Sequence, residues 1–135
     1  MDFTELQGNT FKRVEQIGED RIEFECETGQ TFALYHSQDC CESVVIDDIS
    51  GDLADLVGTP ILMAEEATSE DDPPAVVARK AAEKAKDPDN YYDYHEESQT
   101  WTFYKLRTIK GSVDIRWIGS SNGYYSESVE FAKVA

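Results

Sequence analysis

His36, Asp39, Cys40, Cys41 and Glu42 fall within one seven-residue stretch and offer an imidazole, two carboxylates and two thiols. These are common protein ligands of zinc, so a metal site at His36, Asp39, Cys40, Cys41 and Glu42 is one chemistry this segment could carry. The spacing argues against it, because zinc knuckles set their cysteines about two to four residues apart and adjacent side chains do not readily converge on one ion. A second chemistry is nucleophilic, with His36 as base to the thiol of Cys40 or Cys41. The plainest reading is structural: one cysteine packs in the core while Asp39 and Glu42 cap or line a turn. The chain has no glycine-rich phosphate loop after a strand, no Walker lysine, no HExxH and no GxSxG. The residues therefore require neither an enzyme nor a cofactor. Cys26 brings the cysteine count to three. An odd number with one vicinal pair does not make a disulfide framework, and reduced thiols are expected.

Charge is the stronger signal. The 135 residues hold 28 Asp and Glu against 12 Lys and Arg, a formal charge of −16. Residues 1–70 account for 17 acidic and 3 basic side chains, a balance of −14, while residues 71–135 are close to neutral at −2. Between Arg21 and Arg79 there is no Lys or Arg, yet fourteen carboxylates occur there. A block of that kind repels itself and attracts cations. It excludes direct binding to nucleic acid, which needs a basic patch, and it suits a basic partner, above all a nucleic-acid-binding protein. The candidate partner-binding residues are Glu23, Glu25, Glu27, Asp47, Asp48, Asp52 and Asp55. Tyr91, Tyr92, Tyr124 and Tyr125 join them as interface anchors, because tyrosine provides contact area with few rotors. The ladder Glu23-Glu25-Glu27 alone repeats about every 6.6–6.8 Å, too sparse to copy the phosphates of a nucleic-acid strand. The acids of residues 39–72 would bring the charge density closer to that of a DNA mimic.

These side chains must be positioned by strands. Arg21 to Glu27 alternates apolar and polar without a break, which predicts a strand with Ile22, Phe24 and Cys26 facing inward. Thr28-Gly29-Gln30 turns it into Thr31–Tyr35. Further strands are expected around Phe11–Ile17, Ser43–Ile46, Thr100–Arg107, Ser112–Trp117 and Ser128–Phe131, with another apolar run at Pro60–Met63. Leu53, Leu56 and Val57 have helical spacing, and Pro73-Pro74 starts a helix running to Lys86. The fold class is α+β: mainly antiparallel sheet of about seven strands, curled or barrel-like, with one or two short helices. A single domain is expected over 1–135, with a mobile helical insertion at 68–97. No apolar run reaches the ~20 residues of a membrane helix, and the start Met1-Asp2-Phe3-Thr4-Glu5 is acidic where a signal peptide would be basic. A cytoplasmic protein without membrane contact is the expectation.

The strings His36-Ser37-Gln38-Asp39-Cys40-Cys41-Glu42, Gly51-Asp52-Leu53, Thr100-Trp101-Thr102-Phe103-Tyr104-Lys105 and Ser121-Asn122-Gly123-Tyr124-Tyr125-Ser126 resemble a family of small phage and prophage proteins with no assigned catalysis. The resemblance covers residues 6–66 and 98–131 and leaves 68–97 as a variable insertion. It implies a phage setting in the host cytoplasm, where small acidic proteins block host defence. An inhibitor of a nucleic-acid-binding defence protein, of the anti-CRISPR kind, is then the leading expectation. A metal- or thiol-dependent activity at His36–Glu42 and a virion or replication assembly component are the alternatives. A homodimer is left open.

Overall fold

Alternation in the chain becomes two layers. A computed structural model describes residues 2–89 and 98–135. The α+β class holds, but the sheet is not a closed barrel. Eight strands form two four-stranded antiparallel sheets, ordered β1-β2-β3-β8 and β4-β7-β6-β5, with one α-helix among the described residues. The first sheet comprises β1 (Phe11–Gln16), β2 (Arg21–Cys26), β3 (Thr31–Tyr35) and β8 (Glu130–Lys133). The second comprises β4 (Ser43–Ser50), β5 (Met63–Ser69), β6 (Ser98–Thr108) and β7 (Gly111–Ser121). Helix α1 spans Pro74–Lys86. The helical spacing at Leu53 gives only a 3-10 turn, Leu53–Leu56, too short to be an independent helix.

Each sheet turns one face to a shared core. Ile22, Phe24 and Cys26 of β2, Leu34 of β3 and Phe131 of β8 meet Tyr104 and Leu106 of β6 and Val113, Ile115 and Trp117 of β7. Phe3, on the 3-10 turn Phe3–Leu6, is a keystone between the layers. Its ring lies 4.6 Å from Tyr104 and 5.2 Å from Phe131, centroid to centroid. A four-residue turn is too short to be stable alone. Burial of Phe3 and Leu6, worth roughly 1.5–3 kcal/mol each, holds it in place.

Two elements depart from the expected boundaries. β4 continues through Asp47, Asp48, Ile49 and Ser50, because a register shift that leaves Asp47 as the extra residue lets the ladder with β7 resume at Asp48. β5 lies C-terminal to the apolar run at Pro60–Met63 and carries Glu65 and Glu66. As an edge strand it has one side open to water, and acids there discourage pairing with other chains. Helix α1 begins at Pro74, where a proline fits the first turn. It buries Val76 against the second sheet, while Asp72 just before it accepts hydrogen bonds from Lys80, Gln99 and the Trp101 indole. Among the described residues no helix is long and apolar enough to cross a membrane.

Candidate functional site

The carboxylates of the 23–72 block do not stand as one open face. β1 and β2 pair so that Arg13 lies opposite Glu25. The Arg13 guanidinium donates to Glu25 (3.1 Å), Glu23 (3.1 Å) and Glu15 (2.8 Å). Arg21 adds a 2.8 Å bond to Glu23, and Lys12 sits 3.2 Å from Glu25. Three cations thus meet three glutamates on the outer face of the first sheet. The arginines and Lys12 hold the Glu23 and Glu25 carboxyls below the usual carboxylate range, Arg21 acting most on Glu23 and Arg13 most on Glu25.

Asp47 is compensated from farther away. Arg116 of β7 reaches it at 2.7 Å and Arg79 of helix α1 at 3.8 Å. The Arg116 guanidinium also lies 5.6 Å from the centre of the Trp101 ring. This group stands on the outer face of the second sheet, turned away from Glu23 and Glu25. Among the described residues, Glu27, Asp48, Asp52 and Asp55 make no ion pair. Asp52 caps the 3-10 turn by accepting from the Ala54 N–H at 2.9 Å, and Asp55 lies beside Gly111 at the start of β7. Tyr124 and Tyr125 follow the other end of β7, their rings 5.5 Å apart and Tyr124 85% exposed. Eleven residues of β7 separate the two ends, roughly 35 Å of strand. Tyr91 and Tyr92 lie outside the described residues.

The His36–Glu42 segment closes into a clasp. Glu42 Oε1 accepts from the Asp39 N–H at 2.5 Å and from His36 Nε2 at 3.1 Å, while Oε2 accepts from the Cys40 N–H at 3.2 Å. The side chain is fully buried. These donors, the Asp39 amide foremost, lower its carboxyl to about 2. His36 Nδ1 donates to the Ser128 carbonyl at 2.7 Å, tying the clasp to the loop before β8. Glu42 and His36 are thus committed to holding backbone. Among the described residues no group of three or more His, Cys, Asp or Glu side chains is placed to hold a metal. Cys40 and Cys41 are exposed, and their sulfurs stand side by side as a vicinal pair. Both the Asp39 and Cys40 amides turn in toward Glu42, and the curled loop brings the adjacent sulfurs together. Cys26 is a buried free thiol, pushed up by desolvation. With the Cys40–Cys41 pair closed, a thiol reagent should label none of the three cysteines in the native protein, Cys26 alone after unfolding, and all three after reduction and unfolding. Labelling of Cys40 and Cys41 without reductant would show that the pair is open.

Sequence reasoning passed over a polar cavity of about 320 Å³ at one end of the second sheet. Its wall includes Glu66 and Thr68 of β5, Thr100 and Thr102 of β6, and Tyr125 and Glu127 of the loop after β7. Glu127 is buried at 8% exposure, and its carboxylate accepts from the hydroxyls of Thr100 (2.9 Å) and Ser121. Gly119 allows this loop to lie against β7, since a Cβ there would collide with the Glu127 backbone carbonyl. The only signal in the sequence was the strict alternation of Thr100 and Thr102 with apolar neighbours, on a face that looked like ordinary strand surface.

No curated protein and no solved structure matches the chain. One family does, over residues 4–131, a span that holds the second sheet, the clasp, the cavity and the first sheet as far as Phe131 of β8. This protein therefore belongs to the DUF7448 family, described as a domain of unknown function.

Proposed function

We propose that this protein acts by binding, and that its partner is a basic, nucleic-acid-binding protein whose groove it occupies. In its specific form the reading is a phage inhibitor of host defence, of the anti-CRISPR kind, working in the host cytoplasm. The observation that carries it is the charge of −16 on a small folded domain. Ion pairs within the fold group charges without changing that total, so the surplus must face solvent or a partner. The ion pairs also redistribute the weight among the acids. Glu23, Glu25 and Asp47 are matched by arginines, whereas Glu27, Asp48, Asp52 and Asp55 have no cation beside them among the described residues. The exposed ring of Tyr124 supplies an aromatic anchor at the far end of β7.

Long-range attraction of this kind speeds association and fades as salt shortens the Debye length to roughly 3 Å near 1 M. The test is affinity capture from host lysate at low and high salt. It uses the wild type, a triple variant Asp48→Lys, Asp52→Lys and Asp55→Lys, and a double variant Glu23→Gln and Glu25→Gln. A nucleic-acid-binding protein should be retained by the wild type at low salt, released at high salt and lost by the triple variant, with the double variant close to wild type. Retention that ignores both salt and charge reversal would overturn the electrostatic basis.

A further inference from the structure

We propose that the cavity beside Glu127 is a binding site for a small organic cation bearing a primary ammonium group. This rests on the wall chemistry and stands apart from the partner reading above. Glu127 is a buried carboxylate with no cationic partner among the described residues, and buried charges ordinarily have one. None of the described residues lining the cavity is basic. Glu66 adds a second carboxylate to the same wall.

Two hydroxyls are already committed to Glu127. Thr100 uses its proton on Glu127 Oε1 and Ser121 uses its own on Oε2, so each presents only lone pairs elsewhere. Ser126 and Ser128 lie 2.8 Å apart, oxygen to oxygen, joined by one hydrogen bond that leaves one of the two O–H groups free. The fixed charges of the wall are thus two carboxylates, set among the neutral hydroxyls of Thr68, Ser98, Thr102 and Tyr125. A sugar, which is neutral, would leave both carboxylates uncompensated. An ammonium group brings three donors and a positive charge. The volume suits an alkyl amine better than a bare ion, since small-molecule sites begin at about 300 Å³. The Tyr125 ring gives the methylene chain an apolar surface.

The same group can come from a free amine or from a lysine side chain. Calorimetric titration with n-butylamine, spermidine and glucose separates these, with amide NMR shifts to locate binding. Both amines should bind tighter than about 1 mM, with shifts centred on Thr68, Thr100, Thr102, Gly123 and Ser126, and glucose should not bind. Butylamine as tight as spermidine points to a lysine-sized group, and a preference for spermidine of about tenfold or more points to a free polyamine. Glu127→Gln removes the buried charge and should weaken both amines by about tenfold or more. Should Glu127→Gln fail to fold, Glu66→Gln and Thr100→Val read out the same wall with smaller losses. Glu19→Gln, an exposed charge on the β1–β2 turn, controls for general attraction and should change nothing. Shifts spread over the whole acidic surface, or amine binding that Glu19→Gln weakens as much as Glu127→Gln or Glu66→Gln does, would overturn the proposal. So would the absence of any amine binding.

Discussion

Gly119→Ala should lower the melting temperature by roughly 10 °C, the equivalent of about 2–3 kcal/mol for a domain of this size. The cause is space rather than backbone conformation. A Cβ at 119 would lie 2.8 Å from the Glu127 Cβ and closer still to the Glu127 backbone carbonyl. The obstacle is main chain and the root of a side chain, so no rotamer change relieves it. The loop before β8 would have to lift from β7. Lifting it parts Glu127 from Ser121 and Thr100 and leaves a carboxylate without its two hydroxyl donors. It would also pull on Ser128, whose carbonyl accepts from His36. Differential scanning calorimetry of the two proteins checks the size of the effect. An unchanged melting temperature would mean that the loop does not sit against β7 in solution.

Glu42→Gln is the second large effect, and it has a pH signature. The wild-type carboxylate takes the amides of Asp39 and Cys40 and the ring of His36, all on one buried side chain. An amide has a single acceptor oxygen and turns an NH2 group toward those donors, so the variant loses stability at neutral pH. The native carboxyl is held at about 2, below its ordinary value of 4.5. A folded-state value below the unfolded one means that the stabilisation is fully present above pH about 4.5 and is lost as pH falls toward about 2. The gap in denaturant midpoint between wild type and Glu42→Gln should therefore shrink steadily as pH falls below about 4.5. Glu23, Glu25 and Asp72 are depressed in the same direction and remain in both proteins, so the difference isolates Glu42. A gap that stays constant down to the acid limit would show that the residue acts through packing and not through its charge.

Both effects concern one assembly. The clasp at Glu42 holds Ser128 through His36, Ser128 lines the cavity, and Gly119 lets the intervening loop lie flat. A segment whose residue types suggested metal or thiol chemistry thus serves to fix the wall of a cavity some distance along the chain.

Local pattern by itself determined the hairpin. The unbroken alternation from Arg21 and the turn at Gly29 correspond to β2 and β3, because period two is a property of the strand alone and needs no partner to be visible. The helix start at Pro74 was equally local, resting on the fixed φ of proline. The excess of acid was a matter of counting. Where that acid stands was decided only by tertiary structure. Arg13 neutralises Glu23 and Glu25 because of the β1–β2 register, and Arg116 reaches Asp47 across 69 positions of sequence because β4 pairs with β7. Charges interact through space over a few ångströms, and the fold rather than the chain order sets those distances. The gap in basic residues between Arg21 and Arg79 was therefore real along the chain and absent around Glu23, Glu25 and Asp47. β5 was hidden for a related reason: an edge strand with an open side tolerates Glu65 and Glu66 where a central strand would not. The cavity draws its wall from residues between 66 and 129, and only the packing of β5, β6 and the loop after β7 brings them to one place.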